Sequence, residues 1–257
     1  MSSGPVLRID HLSMSFGGLT AVSDLSFEVA QGQIKAMIGP NGAGKTTILN
    51  LVSGVLAPTA GQIYFKGQEI ACCRPDEVAR QGIARTFQVV RLFRELTVLE
   101  NVMVGCQPWA RAGVIGAALR LPGARRMERR IREEAMACLE RVVLGARAGE
   151  LACNLPFGEQ RLLELARALA PRPALLLLDE PASGLNDAER ERFGVLLQQV
   201  RSQGVTILLV EHNMDLVMDV SDEIVVINYG EKLAEGSPTQ VQSQKEVIAA
   251  YLGDSRA

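Results

Sequence analysis

Nine residues, Gly39-Pro40-Asn41-Gly42-Ala43-Gly44-Lys45-Thr46-Thr47, follow the pattern G-x-x-x-x-G-K-[ST] between an apolar run and a helical one. The chemistry this spacing serves is the binding of a nucleoside polyphosphate. Glycines let successive backbone N–H groups curl around phosphate oxygens, and the N-terminus of the following helix adds partial positive charge. In such a loop Lys45 reaches the β- and γ-phosphates, Thr46 ligates Mg²⁺ and Thr47 lies beside the α-phosphate, while Gly39 to Gly44 form the cradle. No third glycine stands where a dinucleotide fold needs it, and no Asn-Lys-x-Asp guanine motif follows, so the expected ligand is ATP.

A second acidic centre lies far downstream, in "LLLLDEP". Asp179 ends an apolar strand, where ligands of open α/β sheets collect, and suits a second Mg²⁺ contact. Glu180, one residue on, faces differently and is placed to polarise a water for in-line attack on the γ-phosphate. His212 follows the strand "VTILLVE"; a neutral imidazole there can sense the γ-phosphate and hold the water. His11, in an early alternating strand, reads as a surface or structural residue. The turn "LPFGEQ", Leu155 to Gln160, opens a helical pattern but has no phosphate loop near it in sequence, and its residues alone leave its purpose open.

These residues need a scaffold that brings distant segments to one edge. Residues 6 to 66 read mostly as strands, with a helix in "GKTTILNLVSGVL". Residues 97 to 170 show helical patterns, among them Ile131, Ala135, Cys138, Leu139 and Val142 on one helical face. From Ala174 strands alternate with helices, the rhythm of a parallel sheet. The expected fold is therefore α/β: a phosphate-loop NTPase core with a parallel sheet, an antiparallel β subdomain and an inserted α-helical subdomain. The expected divisions are 1–88, 89–170 and 171–257.

Composition narrows the class further. A net charge of −2 gives no bulk attraction to nucleic acid, and none is expected as a partner. Five cysteines, odd in number and without metal-ligand spacing, read as reduced thiols. The N-terminal stretch lacks the pattern of a secretory signal, and the longest apolar runs are strand-sized. The chain is expected to be soluble by itself and to need an anchor if it works at a membrane.

Taken in order, the phosphate loop, Gln88 after "GIARTF", "LPFGEQR", "LLLLDE", "SGLND" and His212 resemble the ATP-binding cassette family over essentially the whole chain. The resemblance implies an ATPase whose signature turn, here Leu155-Pro156-Phe157-Gly158-Glu159, serves ATP held by a different subunit. It also implies that Phe16 stacks on adenine and that Gln88 touches Mg²⁺ and the attacking water. Ser183 to Asn186 would then cross a dimer interface. Three positions depart from the family pattern: Pro156 replaces a serine, Glu159 a glutamine, and Asn186 stands where aspartate is commoner.

The signature turn, the stretch "VEHNMDLVMDVSDEIVVINYGEKLAEGSP" and the ending "VIAAYLG" are similar to the ATP-binding subunits of branched-chain amino-acid importers. That likeness implies a second cassette, two membrane permeases and, indirectly, a periplasmic binding protein as partners. It places the chain at the cytoplasmic face of the inner membrane, bound peripherally. An efflux or lipopolysaccharide-type cassette is the alternative. The stretch 105–127, with the arginines that follow it, reads as a basic face over an apolar stripe, or as a contact for permease loops or lipid headgroups.

Overall fold

The computed structural model describes residues 4–106, 122–244 and 247. Two sheets organise them. The first is antiparallel, in the order β2-β1-β4-β5, from β1 (Leu7–Phe16), β2 (Leu19–Val29), β4 (Ala60–Phe65) and β5 (Gln68–Glu69). Its strands alternate: Leu7, Ile9, Leu12 and Met14 turn inward, while Arg8 and His11 face out.

The second sheet runs β10-β9-β3-β8-β7-β6, from β3 (Ile34–Ile38), β6 (Ile83–Arg85), β7 (Leu175–Asp179), β8 (Thr206–Val210), β9 (Glu223–Asn228) and β10 (Glu231–Gly236). β9, β3, β8, β7 and β6 are parallel, and only β10 is antiparallel to its neighbour. Strands β3, β7 and β8 are buried along their whole length. Both faces are covered, which is why they read as unbroken apolar runs rather than alternating ones. In β7, Leu176 and Leu178 join the core beneath the helices, and Leu175 and Leu177 the core beneath the antiparallel sheet.

Helix α1 (Lys45–Val52) follows the phosphate loop, and α2 (Pro75–Gln81) precedes β6. The helical layer contains α3 (Val98–Gly105), α4 (Pro122–Arg141) and α5 (Phe157–Leu169), which pack on one another. Ala135, Cys138, Leu139 and Val142 of α4 are buried there, with Ile131 partly buried against them, as the helical periodicity predicts. Helices α6 (Asp187–Ser202), α7 (Met214–Val220) and α8 (Pro238–Gln242) complete the core. The α/β class holds.

Two strands and one helix escape a periodicity reading. β6 is three residues long, and β10 is a polar edge strand whose first three residues are exposed. α2 is a single short amphipathic stretch started by a proline at its first position. The helix after the phosphate loop also stops earlier than its sequence suggests: Gly54 turns the chain at φ +72°.

Candidate active site

The parallel sheet places every strand-end residue of interest on one edge. The phosphate loop leaves the end of β3, His212 follows β8, Asp179 ends β7, and Gln88 lies just past β6. These strands are adjacent in the order β3-β8-β7-β6, and Val210 at the end of β8 is in register with Met37 of β3 and Asp179 of β7, so segments far apart in sequence meet across neighbouring strand ends.

The phosphate loop is held in a tight curl. Gly42 and Gly44 take φ of +80° and +99°, conformations closed to most side chains. At Gly39 there is no room for a Cβ, which would run into the carbonyl oxygen of Ile227. The turn after β9 pins the loop from behind, with the Gly230 amide donating to the Ala43 carbonyl at 3.0 Å. Lys45 is buried and folded back on its own loop, Nζ donating to the carbonyls of Gly39 (2.6 Å) and Pro40 (2.9 Å). Burial pulls its pKa down, opposed by the nearby Glu180 and Asp179 carboxylates. Asn41, Gly42 and Thr46 are exposed, Pro40, Gly44 and Thr47 are half-buried, and Gly39 and Ala43 are buried.

Asp179 is 2% exposed at its side chain, and burial pushes its carboxyl up from the ordinary range. One oxygen, Oδ2, accepts from Arg85 Nη2 at 3.1 Å. Arg85 in turn donates to Asn50 Oδ1 and Ser53 Oγ of the α1 segment, tying the phosphate-loop helix to the sheet. The other oxygen, Oδ1, is buried with no hydrogen-bond partner. An orphaned carboxylate oxygen close to Lys45 of the phosphate loop fits a hard divalent cation, which takes oxygen ligands. Among the described residues no cluster of three or more His, Cys, Asp or Glu is arranged to hold a metal.

Glu180 has a left-handed backbone, φ +49°, a conformation that costs a non-glycine residue about 1–3 kcal/mol. Its amide donates to the Val210 carbonyl at 2.9 Å, which holds the turn in place. The carboxylate is gripped from both sides: Gln88 Nε2 donates to Oε2 at 2.9 Å, and His212 Nε2 is hydrogen-bonded to Oε1. The sequence-predicted trio of Glu180, His212 and Gln88 is therefore one contiguous group. Both Gln88 and His212 contact the carboxylate itself.

The turn at Leu155 to Glu159 faces elsewhere. Leu155 is buried, whereas Pro156 and Phe157 are exposed. Pro156 is the N-cap of α5, and no side chain caps that helix, so its first amides point outward unpaired by side chains. Glu159 leans away onto Arg147, with Oε2 3.2 Å from Nε, and as an acid in the first turn it also suits the positive end of the helix. Among the described residues no hydrogen bond or ion pair joins this turn to the phosphate loop of the same chain. Ser183, Gly184 and Asn186 are exposed and Leu185 is buried. Asn186 caps α6, accepting from the Glu189 amide while Glu189 accepts from its own, a role asparagine fills as well as aspartate. Phe16 ends β1, with its ring 45% exposed. His11 is exposed on a bulge and bonded to Asp24. Most of the stretch 105–127 lies outside the described residues.

Three charged residues in or behind the site carry no motif and were missed. Arg85 is one. Glu211 is the second: buried beside His212, it accepts from the amides of Ala182 (2.7 Å) and His212 (3.1 Å), and burial raises its pKa. It fastens the segment after Glu180 to the start of the histidine turn. The third is Arg161, buried on α5. The available signal was the same each time, a charge at a position whose neighbours are core.

Residues 22–183 match the family model described as ABC transporter, and residues 231–257 match one described as branched-chain amino acid ATP-binding cassette transporter. The chain is 45% identical, over 98% of its length and all of the relative's, to the high-affinity branched-chain amino acid transport ATP-binding protein BraF of Pseudomonas aeruginosa. It is 43% identical over the same shares to LivG of Escherichia coli, which carries the same description. Among solved structures it is similar to the ADP conformation of MJ1267, an ATP-binding cassette of an ABC transporter. The TM-score is 0.85 at 30% identity, covering 97% of this chain and 99% of the other.

Proposed function

This chain belongs to the ATP-binding cassette transporter family, and from that premise we propose that it powers the import of branched-chain or other small amino acids through partner permeases. It is an ATPase coupled to transport. The observation that carries the site assignment is the Glu180 carboxylate, held between Gln88 and His212 at the sheet edge that also bears Lys45 and Asp179. The amino-acid reading rests on the names of the relatives and on the match over residues 231–257, which also weighs against an efflux or lipopolysaccharide-type transporter.

In the proposed mechanism the phosphates of ATP draw Lys45 off its own loop carbonyls, while the backbone amides of residues 41 to 47 surround them. Thr46, Asp179 and Gln88 would hold Mg²⁺, which when bound would supply neutralisation of the phosphate charge. Glu180 accepts a proton from the attacking water, and His212 orients the carboxylate through its Nε2 contact. The amides of Phe157, Gly158 and Glu159, with Ser183 to Asn186, meet the nucleotide and surface of a second cassette. Two cassettes closing on two ATP would then move two permeases fed by a periplasmic binding protein, without nucleic acid. The parts 1–88, 89–170 and 171–257 would move as β and loop core, helical subdomain, and remaining core with tail. Among the described residues no helix is long and apolar enough to cross a membrane. The likeness to importer ATP-binding proteins supports a peripheral place at the cytoplasmic face of the inner membrane. Uptake of labelled leucine, amides and aromatic amino acids by the reconstituted complex tests the reading; transport of none of them overturns the amino-acid assignment.

Two further outcomes are expected. Phe16→Ala weakens ATP binding by about 1–3 kcal/mol, the worth of a base–aromatic stack, since so exposed a ring has little core packing to lose. Nucleotide titration checks this, and an unchanged dissociation constant removes Phe16 from the base site. Pro156 offers neither hydroxyl nor amide to a partner's γ-phosphate, and each missing charge-assisted hydrogen bond is worth about 1.5–3 kcal/mol. Pro156→Ser is therefore expected to hydrolyse ATP about tenfold faster or more than the unaltered subunit alone, and the complex with a serine-containing partner to surpass the subunit alone as well. Equal steady-state rates for all three would sink this argument and favour a plain homodimer.

A further inference from the structure

Arg161 lies on α5, four residues after Phe157 of the signature turn, and its side chain is only 5% exposed. Its guanidinium donates to two successive carbonyls, those of Gln88 at 2.8 Å and Phe87 at 3.4 Å. It also lies 5.3 Å from the centre of the Phe157 ring and 3.6 Å from Glu164 Oε2. Glu164 is buried too. Burying such a pair costs desolvation that apolar side chains would avoid, so stability alone gives little reason for it.

What the pair does is join two functional segments. On one side the Phe157 ring packs against the loop that follows Glu180, where a Cβ at Gly184 would lie 2.7 Å from its Cε1. On the other, the Gln88 side chain holds the Glu180 carboxylate. Contacts therefore run without a break from Phe157 to Arg161, Gln88, Glu180 and His212, all inside one subunit. In the pairing proposed above, the ends of that path belong to different nucleotides: the turn to the partner's ATP, Glu180 to the subunit's own.

We propose that Arg161 is a positioning residue that couples the two nucleotide sites, carrying the seating of the partner's γ-phosphate on α5 to Gln88 and Glu180 of its own subunit. A phosphate drawn onto the N-terminus of α5 displaces that helix, and the rigid two-pronged guanidinium carries the Gln88 backbone with it. Lysine, a point charge on a flexible stem, keeps the pairing with Glu164 but not the grip on two carbonyls at once. This inference rests on the proposed pairing of cassettes.

The test is the ATP dependence of hydrolysis in the assembled complex carrying Arg161→Lys, with ATP binding to the isolated subunit measured beside it. The expected result is a Hill coefficient that falls from above one to one, with ATP affinity of the isolated subunit changed by less than about twofold. Arg161→Met combined with Glu164→Met guards against misfolding, because apolar replacement of a whole buried pair is commonly tolerated. It is expected to lose cooperativity in the same way. Retained cooperativity in either folded variant overturns the proposal. So does a wild-type complex that hydrolyses without cooperativity. In that case ATP-driven dimerisation of Glu180→Gln, followed by size-exclusion chromatography, shows whether the pairing itself has failed or only the relay.

Discussion

Glu180→Gln is expected to bind ATP as tightly as the unaltered protein and to turn it over about 10²-fold more slowly or worse, the usual cost of losing a general base. The substitution keeps the shape that Gln88 and His212 grip but removes the lone pairs that take the proton of water. The side chain is half-buried at the strand end, and its backbone strain is set by the hydrogen bond from its amide to Val210, which glutamine does not disturb. Folding is expected to change little. Equilibrium nucleotide binding and single-turnover hydrolysis, measured on the same preparation, separate the two quantities. Near-normal hydrolysis would take Glu180 out of the role and direct attention to His212.

Asp179→Ala is expected to behave differently in kind, because it damages the fold as well as the chemistry. The Asp179 and Arg85 side chains are 2% and 6% exposed, and among the described residues the arginine pairs with no other acid. Removing the carboxylate leaves a guanidinium buried without a counter-charge, a change that typically costs about 3–5 kcal/mol. Asn50 and Ser53 still hold two of its donors, which keeps the loss towards the lower end. Hydrolysis is expected to be lost as well, since the buried oxygen suited to Mg²⁺ goes with the side chain. Urea unfolding without nucleotide decides the first part: a midpoint equal to that of Glu180→Gln would mean that the Arg85 pair contributes nothing to stability.

The contrast between these neighbours shows how far a sequence reading reaches. Asp179 and Glu180 were distinguishable as a strand-end acid and an acid that faces differently because the apolar strand ends between them. Their partners were not. Gln88 lies 92 residues from Glu180 and His212 lies 32 away, and neither separation suggests a contact until the strand order is known. Arg85 sits in a three-residue strand too short to show any periodicity, so nothing local marked it as the arginine that pairs with Asp179.

The phosphate loop, the acidic strand end and the α/β alternation were all determined by the sequence itself. Each depends on neighbours within a few residues: glycines that reach positive φ, a helix that starts where a loop ends, or an apolar run of strand length. The tertiary structure decided which of those pieces touch. The sheet order β3-β8-β7-β6 places four strand ends side by side, and that order is a property of crossovers and packing, not of any one segment's pattern. Charges that meet only across that edge or beneath it, such as Arg85 with Asp179, Glu211 with the Ala182 amide and Arg161 with the Gln88 carbonyl, follow from burial, which forces a polar group to find a partner wherever the fold supplies one.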